Sequence, residues 1–250
     1  MNANSFFQRL FKFIKKPRAR VYRSLPRGLD VFYDLKIHLP NLLIAVVFDV
    51  GANTGQSARV YSNKFTGAKI YSFEPVEKTF LKLQENVRGR QIECHRLALS
   101  ALPGSGIMIL EGTADMFHLQ TETSVASAGN LSGLEEVPLE TLDNFCRAHG
   151  VEQIGYLKID TEGNDLAVLQ GADMMLSRHQ IDVVEVEAGM NCLNKRHVPY
   201  EKLSRFLQEK GYFPFGIYEQ TAEFPTREPH LRRTNCVFIS EKVSNANRAS

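Results

Sequence analysis

The sequence predicts an α/β fold in which a mostly parallel sheet carries helices on both faces and an antiparallel hairpin at one edge. Three observations support it. Short apolar runs, Val46 to Val50, Lys69 to Phe73 and Ile154 to Ile159, each contain or meet an acid and give way to a helical pattern, as parallel β-α units do. The first run turns over into Gly51-Ala52-Asn53-Thr54-Gly55, a glycine-spaced loop between a strand and a helix. The last two strand-like runs, Tyr212 to Tyr218 and Asn235 to Ser240, are joined by a polar stretch without helical periodicity, which suits a hairpin.

Taken in order, the chain opens with a basic segment. Residues 5–16 put Phe6, Phe7, Leu10, Phe11 and Ile14 on one helical face and Arg9, Lys12, Lys15 and Lys16 toward the other. This amphipathic helix is expected either to dock on the body or to bind an anionic membrane surface weakly and peripherally. Pro17 and Pro26 mark a linker, and Asp30 to Leu39 reads as a helix that Pro40 ends. Residues 1–30 carry eight basic residues against Asp30 alone, a net +7, so the formal +2 of the whole chain leaves −5 for the rest. A negatively charged body without Trp or a recognition motif argues against a nucleic-acid partner. The longest apolar run, Leu42 to Phe48, is far below the ~18 residues of a membrane span, and no signal-peptide core is present. Cys94, Cys146, Cys192 and Cys236 form no metal-type spacing, so reduced thiols and a cytoplasmic location are expected. At 250 residues the chain can hold one large domain. The expected division is an extension over residues 1–40, a body over 41–241 and a disordered tail over 242–250.

The glycine turn is where chemistry first shows. Dinucleotide enzymes write it G-x-G-x-x-G and set a pyrophosphate on the helix N-terminus; here the order is D-x-G-x-x-x-G, with Asp49 before Gly51 and Gly55. A carboxylate there repels a pyrophosphate and favours an ammonium or sulfonium ligand by roughly a few kcal/mol at the effective dielectric of a partly buried site. S-adenosylmethionine carries both groups. Glu74 follows the second strand at about the ~20-residue spacing of a ribose-binding acid, and Pro75 stops the strand beside it. Its plain alternative is a solvated acid at a strand end. Gln91 to Leu99 reads as a third strand whose exit, Ala98-Leu99-Ser100, is small enough to leave room for a flat base.

Leu102 to Pro138 reads as an insertion with a hairpin and a mobile loop over Thr121 to Ser132, the sort of segment that covers a site. Val137 to Ala148 is expected to continue into a helix ending at Gly150. A second acid-bearing turn then places Asp160, Glu162 and Asp165 at the end of a central strand, before a helix expected to run to His179. Capping and dipole complementation account equally for Glu162 and Asp165. Ile181 to Glu187 alternates valines with Glu185 and Glu187, and Pro199 to Lys210 is an amphipathic helix ended by Gly211.

The strings VVFDVGANTGQSA, YSFEPVEKTFLKLQENV and LKIDTEGNDLAVLQGA, in this order, resemble the FkbM family of S-adenosylmethionine-dependent methyltransferases over about Leu42 to Ser240. The resemblance implies a Rossmann-like class I methyltransferase fold and, for most members, O-methylation of hydroxyls on glycans and secondary metabolites. It places Asp49, Gly51, Asn53, Gly55 and Glu74 on cofactor positions and Asp160 and Glu162 on the second acidic motif. Thr54 within the turn and Ala98 and Leu99 beside the base complete the expected cofactor set. Asp165 stands where the family commonly has Glu.

Methyl transfer from a sulfonium is an in-line displacement, so the site must chiefly align donor and acceptor. An alcohol acceptor must also lose a proton, to a base or with help from a metal such as Mg²⁺. Asp160, Glu162, Glu187 and His197 are candidates, and Asp160 and Glu162 are the expected catalytic pair. His197, before Val198-Pro199, reads more simply as a helix-entry residue. The competing readings are an NAD-dependent oxidoreductase, disfavoured because Asn53 replaces the second glycine of its fingerprint, and a non-catalytic S-adenosylmethionine-binding module.

Overall fold

The structure, a computed structural model, describes residues 27–110, 118–120 and 133–248. The predicted basic helix over residues 5–16 and the Thr121 to Ser132 stretch lie outside the described residues. In chain order the elements are α1 (Val31–His38), β1 (Val46–Val50), α2 (Gln56–Lys64), β2 (Lys69–Phe73), α3 (Glu77–Asn86), β3 (Ile92–His95), β4 (Ala98–Leu99), β5 (Gly104–Ile109), β6 (His118–Gln120) and β7 (Leu134–Glu140). They continue as α4 (Leu142–His149), β8 (Ile154–Ile159), α5 (Asp165–Gln170), α6 (Asp173–Ser177), β9 (Ile181–Gly189), α7 (Tyr200–Glu209), β10 (Tyr212–Glu223), β11 (Glu228–Ser240) and α8 (Glu241–Ala246).

Seven strands form one sheet in the order β10-β11-β9-β8-β1-β2-β3. The five from β9 to β3 are parallel, and β11 and β10 close the other edge antiparallel. The fold is therefore Rossmann-like, as expected. Burial on both faces explains the near-continuous apolar strands: Phe48, Val50, Leu157, Ile159, Val184 and Val186 pack on one face, Val47, Ile70, Tyr156, Val183 and Val237 on the other. Strand order reverses between β1 and β8, so their carboxyl ends frame the crevice where such sheets bind ligands. Helix α1 is part of this body. Leu35 packs into the second core, and Asp34 accepts hydrogen bonds from Gly28 N–H and Tyr218 Oη–H, both at 3.0 Å.

Four expectations are corrected. The third strand stops at His95, and Ala98–Leu99 joins a separate sheet of order β4-β7-β5-β6. The segment before α4 is a strand: Val137, Ala98, Met108 and Leu139 share a small apolar cluster that only period-two spacing can fill, and Thr141 caps the helix by accepting from Asn144 N–H. The helix expected to reach His179 breaks at Gly171, where a Cβ would lie 2.1 Å from the Ser100 carbonyl oxygen, and Asp143 caps the next turn through Met174 and Met175 N–H. The tail expected to be disordered from residue 242 is helical as far as Ala246 in α8, because the Ser240 hydroxyl accepts from Val243 N–H and Val243 is buried. Among the described residues no helix is long and apolar enough to cross a membrane.

Candidate active site

The glycine turn is shaped by its neighbours. Gly51 has φ +79°, and a Cβ on it would stand 1.9 Å from the Asp160 carbonyl oxygen, so the loop after β1 presses directly on the exit of β8. Gly51 and Ala52 N–H both donate to the Phe73 carbonyl, tying the same loop to β2. The loop, the end of β2 and the end of β8 thereby line one cleft at the carboxyl ends of the central strands.

Glu74 forms one wall. It is buried and fixed by the backbone, its two oxygens accepting from Asn53 N–H at 3.1 Å and Val76 N–H at 3.0 Å. Burial pushes its pKa up to about 7, the two backbone donors only partly opposing this. Leu97, Ala98, Leu99 and Phe73 supply an apolar floor, to which the small sheet adds Met108 and Leu119. Asn164 donates to the Leu99 carbonyl at 3.1 Å, while its buried side-chain oxygen has no hydrogen-bond partner.

Asp160 and Glu162 line the same cleft. Beneath them runs a charged rung: Asp49, Lys158 and Glu185 pair in register across β1, β8 and β9 and are all buried. Lys158 Nζ lies 3.1 Å from Asp160 and 3.8 Å from Asp49. Burial opposes its charge, but these carboxylates win and hold the ammonium above its ordinary pKa. Burial would raise Asp160, yet Lys158 keeps it below the usual carboxylate range. Asp49 is raised by burial, against Lys158 and a 2.6 Å hydrogen bond from Ser57. Asp49 is fully buried and lies behind the loop, as do Thr54, whose carbonyl accepts from Asn86, and Gly55, which packs against Leu83 and Val87. These three predicted residues build the turn without lining the cleft.

Glu162 takes φ +55° and meets Arg196 Nε at 2.5 Å and His197 Nε2 at 3.4 Å. His197 also reaches Glu187 at 2.8 Å, and Glu187 pairs with Arg233. Burial would lower the imidazole, but the two glutamates push it up to about 9. With one His nitrogen on these acids and the other beside Asn194, the ring is held as a cationic bridge rather than an open base. Because Arg196, Arg233 and His197 already supply positive charge to Glu162 and Glu187, this donor set does not suit Mg²⁺. Asp165 accepts from Thr161 and Gly163 N–H, both at 3.2 Å, and so holds the second acidic turn in place. Sequence reasoning missed Lys158, Asn164 and Arg196: a lysine in a strand looks solvent-facing, and only the pairing of β8 with β1 and β9 shows that it is enclosed.

The chain belongs to the Methyltransferase FkbM domain family, whose sequence model matches residues 49–214. Hexuronic acid methyltransferase AglP of Haloferax volcanii is 26% identical over 152 residues, covering 58% of this chain and 57% of that protein. Methyltransferase sdnD of Sordaria araneosa is 28% identical, over 51% of this chain and 60% of its own length. The chain thus spans somewhat under two thirds of these curated relatives. Among solved structures, magnesium protoporphyrin IX methyltransferase from Synechocystis PCC 6803 with bound SAM has a TM-score of 0.44 at 9% identity, covering 84% of this chain and 81% of that one. The Burkholderia thailandensis 1,6-didemethyltoxoflavin-N1-methyltransferase, with S-adenosylhomocysteine bound, gives 0.42 at 12% identity, with 83% and 76% covered.

Proposed function

We propose that the protein is an S-adenosylmethionine-dependent methyltransferase that modifies a hydroxyl on a small molecule or glycan, working in the cytoplasm and not on nucleic acid. The observation that carries this reading is one cleft with a backbone-anchored Glu74 on one wall and the Asp160/Glu162 pair on the other. The residues fit the cofactor. Glu74 keeps lone pairs for ribose hydroxyls after accepting its two backbone bonds, the Leu97–Leu99 edge offers an apolar surface for a base, and Asn164 leaves a buried acceptor unpaired. S-adenosylmethionine, when bound, supplies an electrophilic methyl group on a positively charged sulfur. Asp160 gives that end of the crevice its negative charge, and Lys158, held from behind by Asp49, fixes where Asp160 points.

Asp160 is suited to receive the acceptor's proton although its pKa is low. As the hydroxyl oxygen bonds to carbon it becomes an oxonium, far more acidic than any carboxylic acid, so a weak base in contact suffices. Glu162, set by Arg196 and His197, orients the acceptor from the neighbouring position. The Haloferax relative, named for hexuronic acid, makes hexuronic acids the first acceptor class to test. Residues 5–16 are proposed to hold the enzyme weakly at an anionic membrane face.

Titration calorimetry with S-adenosylhomocysteine, S-adenosylmethionine and NAD tests the cofactor, and transfer from methyl-tritiated cofactor to a glycan and metabolite panel tests the reaction. Glu74→Ala is expected to weaken cofactor binding at least about tenfold. Asp160→Asn should bind cofactor within a few-fold of wild type while turnover falls about 10²–10⁴-fold. Selective binding of NAD, or full turnover in Asp160→Asn, would sink the assignment.

A further inference from the structure

Outside the cleft, the edge strand β3 and the end of α4 bring together Glu93, His95 and His149, whose ligand atoms all lie within 4.8 Å of one another. We propose that these three side chains form a second site, for a divalent transition cation of the Zn²⁺ type, with solvent completing its coordination. The residue types match: two imidazoles and one carboxylate make a frequent three-ligand zinc set with an open fourth position.

The geometry is largely prepared before any ion arrives. Glu93 Oε1 and His95 Nε2 are 3.1 Å apart. Two ligands about 2.0–2.1 Å from a tetrahedral zinc are separated by about 3.3 Å, so this pair is already near its bound spacing. His95 Nε2 is shut off from solvent and faces that carboxylate, so a bound ion would replace the pair's own contact. His149 Nδ1 sits 2.9 Å from the Phe145 carbonyl oxygen. A carbonyl only accepts, so Nδ1 carries the proton and Nε2 keeps its lone pair for a metal. A backbone carbonyl on the second ring nitrogen is the usual outer support of a metal-bound histidine.

The rings are also braced. His149 stacks on Phe145 with centroids 3.9 Å apart, and His95 stacks against Phe73 at 5.4 Å. The other oxygen of Glu93 is held by Lys69 Nζ at 3.0 Å, which fixes the carboxylate with Oε1 toward His95. The ligand atoms, all within 4.8 Å of one another, close in on an ion by a small shift of the His149 ring along Phe145 at the exposed end of α4. A bound ion would join the open edge of the main sheet to α4.

The full, untagged chain titrated with Zn²⁺ against a chromogenic chelator tests this. One equivalent is expected to bind, to raise the thermal unfolding midpoint, and, when replaced by Co²⁺, to show the visible absorption of a tetrahedral ion. His149→Ala should still fold cooperatively, its metal-free midpoint lowered slightly by the lost Phe145 contacts, yet lose at least about tenfold in zinc affinity together with the Co²⁺ spectrum. Glu93→Gln should weaken binding in the same direction. His230→Ala, altering the unrelated His230/Glu228 pair, should bind zinc like wild type. Absence of binding to the wild-type chain, equal affinity in wild type and His149→Ala, or loss of binding in His230→Ala instead would each overturn the proposal.

Discussion

Lys158 shows how much a single residue can organise. It is buried between two acids, Asp49 on β1 and Asp160 at its own strand's end, and its removal leaves both without their cation. Breaking a buried ion pair by deleting one partner costs about 3–5 kcal/mol. Asp160 is partly exposed and screened by water, so most of that cost should fall on Asp49. Lys158→Met is therefore expected to lose about 3–5 kcal/mol in urea unfolding at pH 7.5, with the deficit shrinking at low pH as the stranded acids protonate. A double-mutant cycle with Asp49→Asn should show the two changes to be non-additive; simple additivity would mean the charges are not coupled. The acids of this site were legible in the sequence because strand-end carboxylates after apolar runs stand out. Their partners were not. His197 looked like a helix-entry residue, and only the bridge between β9 and the Pro199 segment places it between Glu162 and Glu187.

At the level of elements, the strands that sit deepest were the easiest to read. Strands β1, β2, β8 and β9 are enclosed on both faces over most of their length, so their runs are mostly apolar, interrupted by few polar residues such as Asp49, Ser72, Lys158, Asp182 and Glu185. The breaks that escaped sequence reading are set by distant contacts: the Ser100 carbonyl against Gly171, or the small sheet that takes Ala98–Leu99 away from β3. Helix α8 escaped because one buried residue, Val243, carries its apolar face. It nonetheless closes the molecule, since Asn41 N–H donates to Asn247 at 2.9 Å and Asn41 Nδ2 donates to the Ala246 carbonyl at 2.7 Å. Truncation after Ser240 should then cost about 2–4 kcal/mol, through a lost Val anchor and two hydrogen bonds. Cofactor affinity should be unchanged, because α8 lies at the amino ends of the parallel strands and the cleft at their carboxyl ends. A truncated chain of wild-type stability would show that the helix contributes nothing, and a large loss of cofactor affinity would show that the two ends are coupled.

For the molecule as a whole, the buried charges near the cleft set how stability follows pH. Glu74 and Asp165 are both raised to about 7, chiefly by burial. Between the unfolded carboxylate pKa of about 4 and the folded value near 7, the native state holds protons that the unfolded chain has released, so stability falls as pH rises through that window. His197, raised to about 9 by Glu162 and Glu187 against burial, acts in the same direction at higher pH. Its contribution is complete below about 6.5 and lost as pH climbs toward 9. Asp160, held low by Lys158, works the other way, adding stability above its unfolded pKa that disappears only in acid. The ligand-free protein should accordingly be most stable on the acidic side of neutrality and lose on the order of several kcal/mol between pH 5 and 9. Urea unfolding at pH 5.5, 7.5 and 9 would show it, and substitutions separate the causes: His197→Gln should flatten the curve above pH 7, Asp165→Asn the curve below it. Saturating S-adenosylhomocysteine should flatten the lower limb as well, because hydroxyl donors to Glu74 favour its ionised form and bring its pKa down. Stability that climbs steadily from pH 5 to 9 would mean that the acids at the cleft are solvated in solution and that their enclosure does not govern the fold.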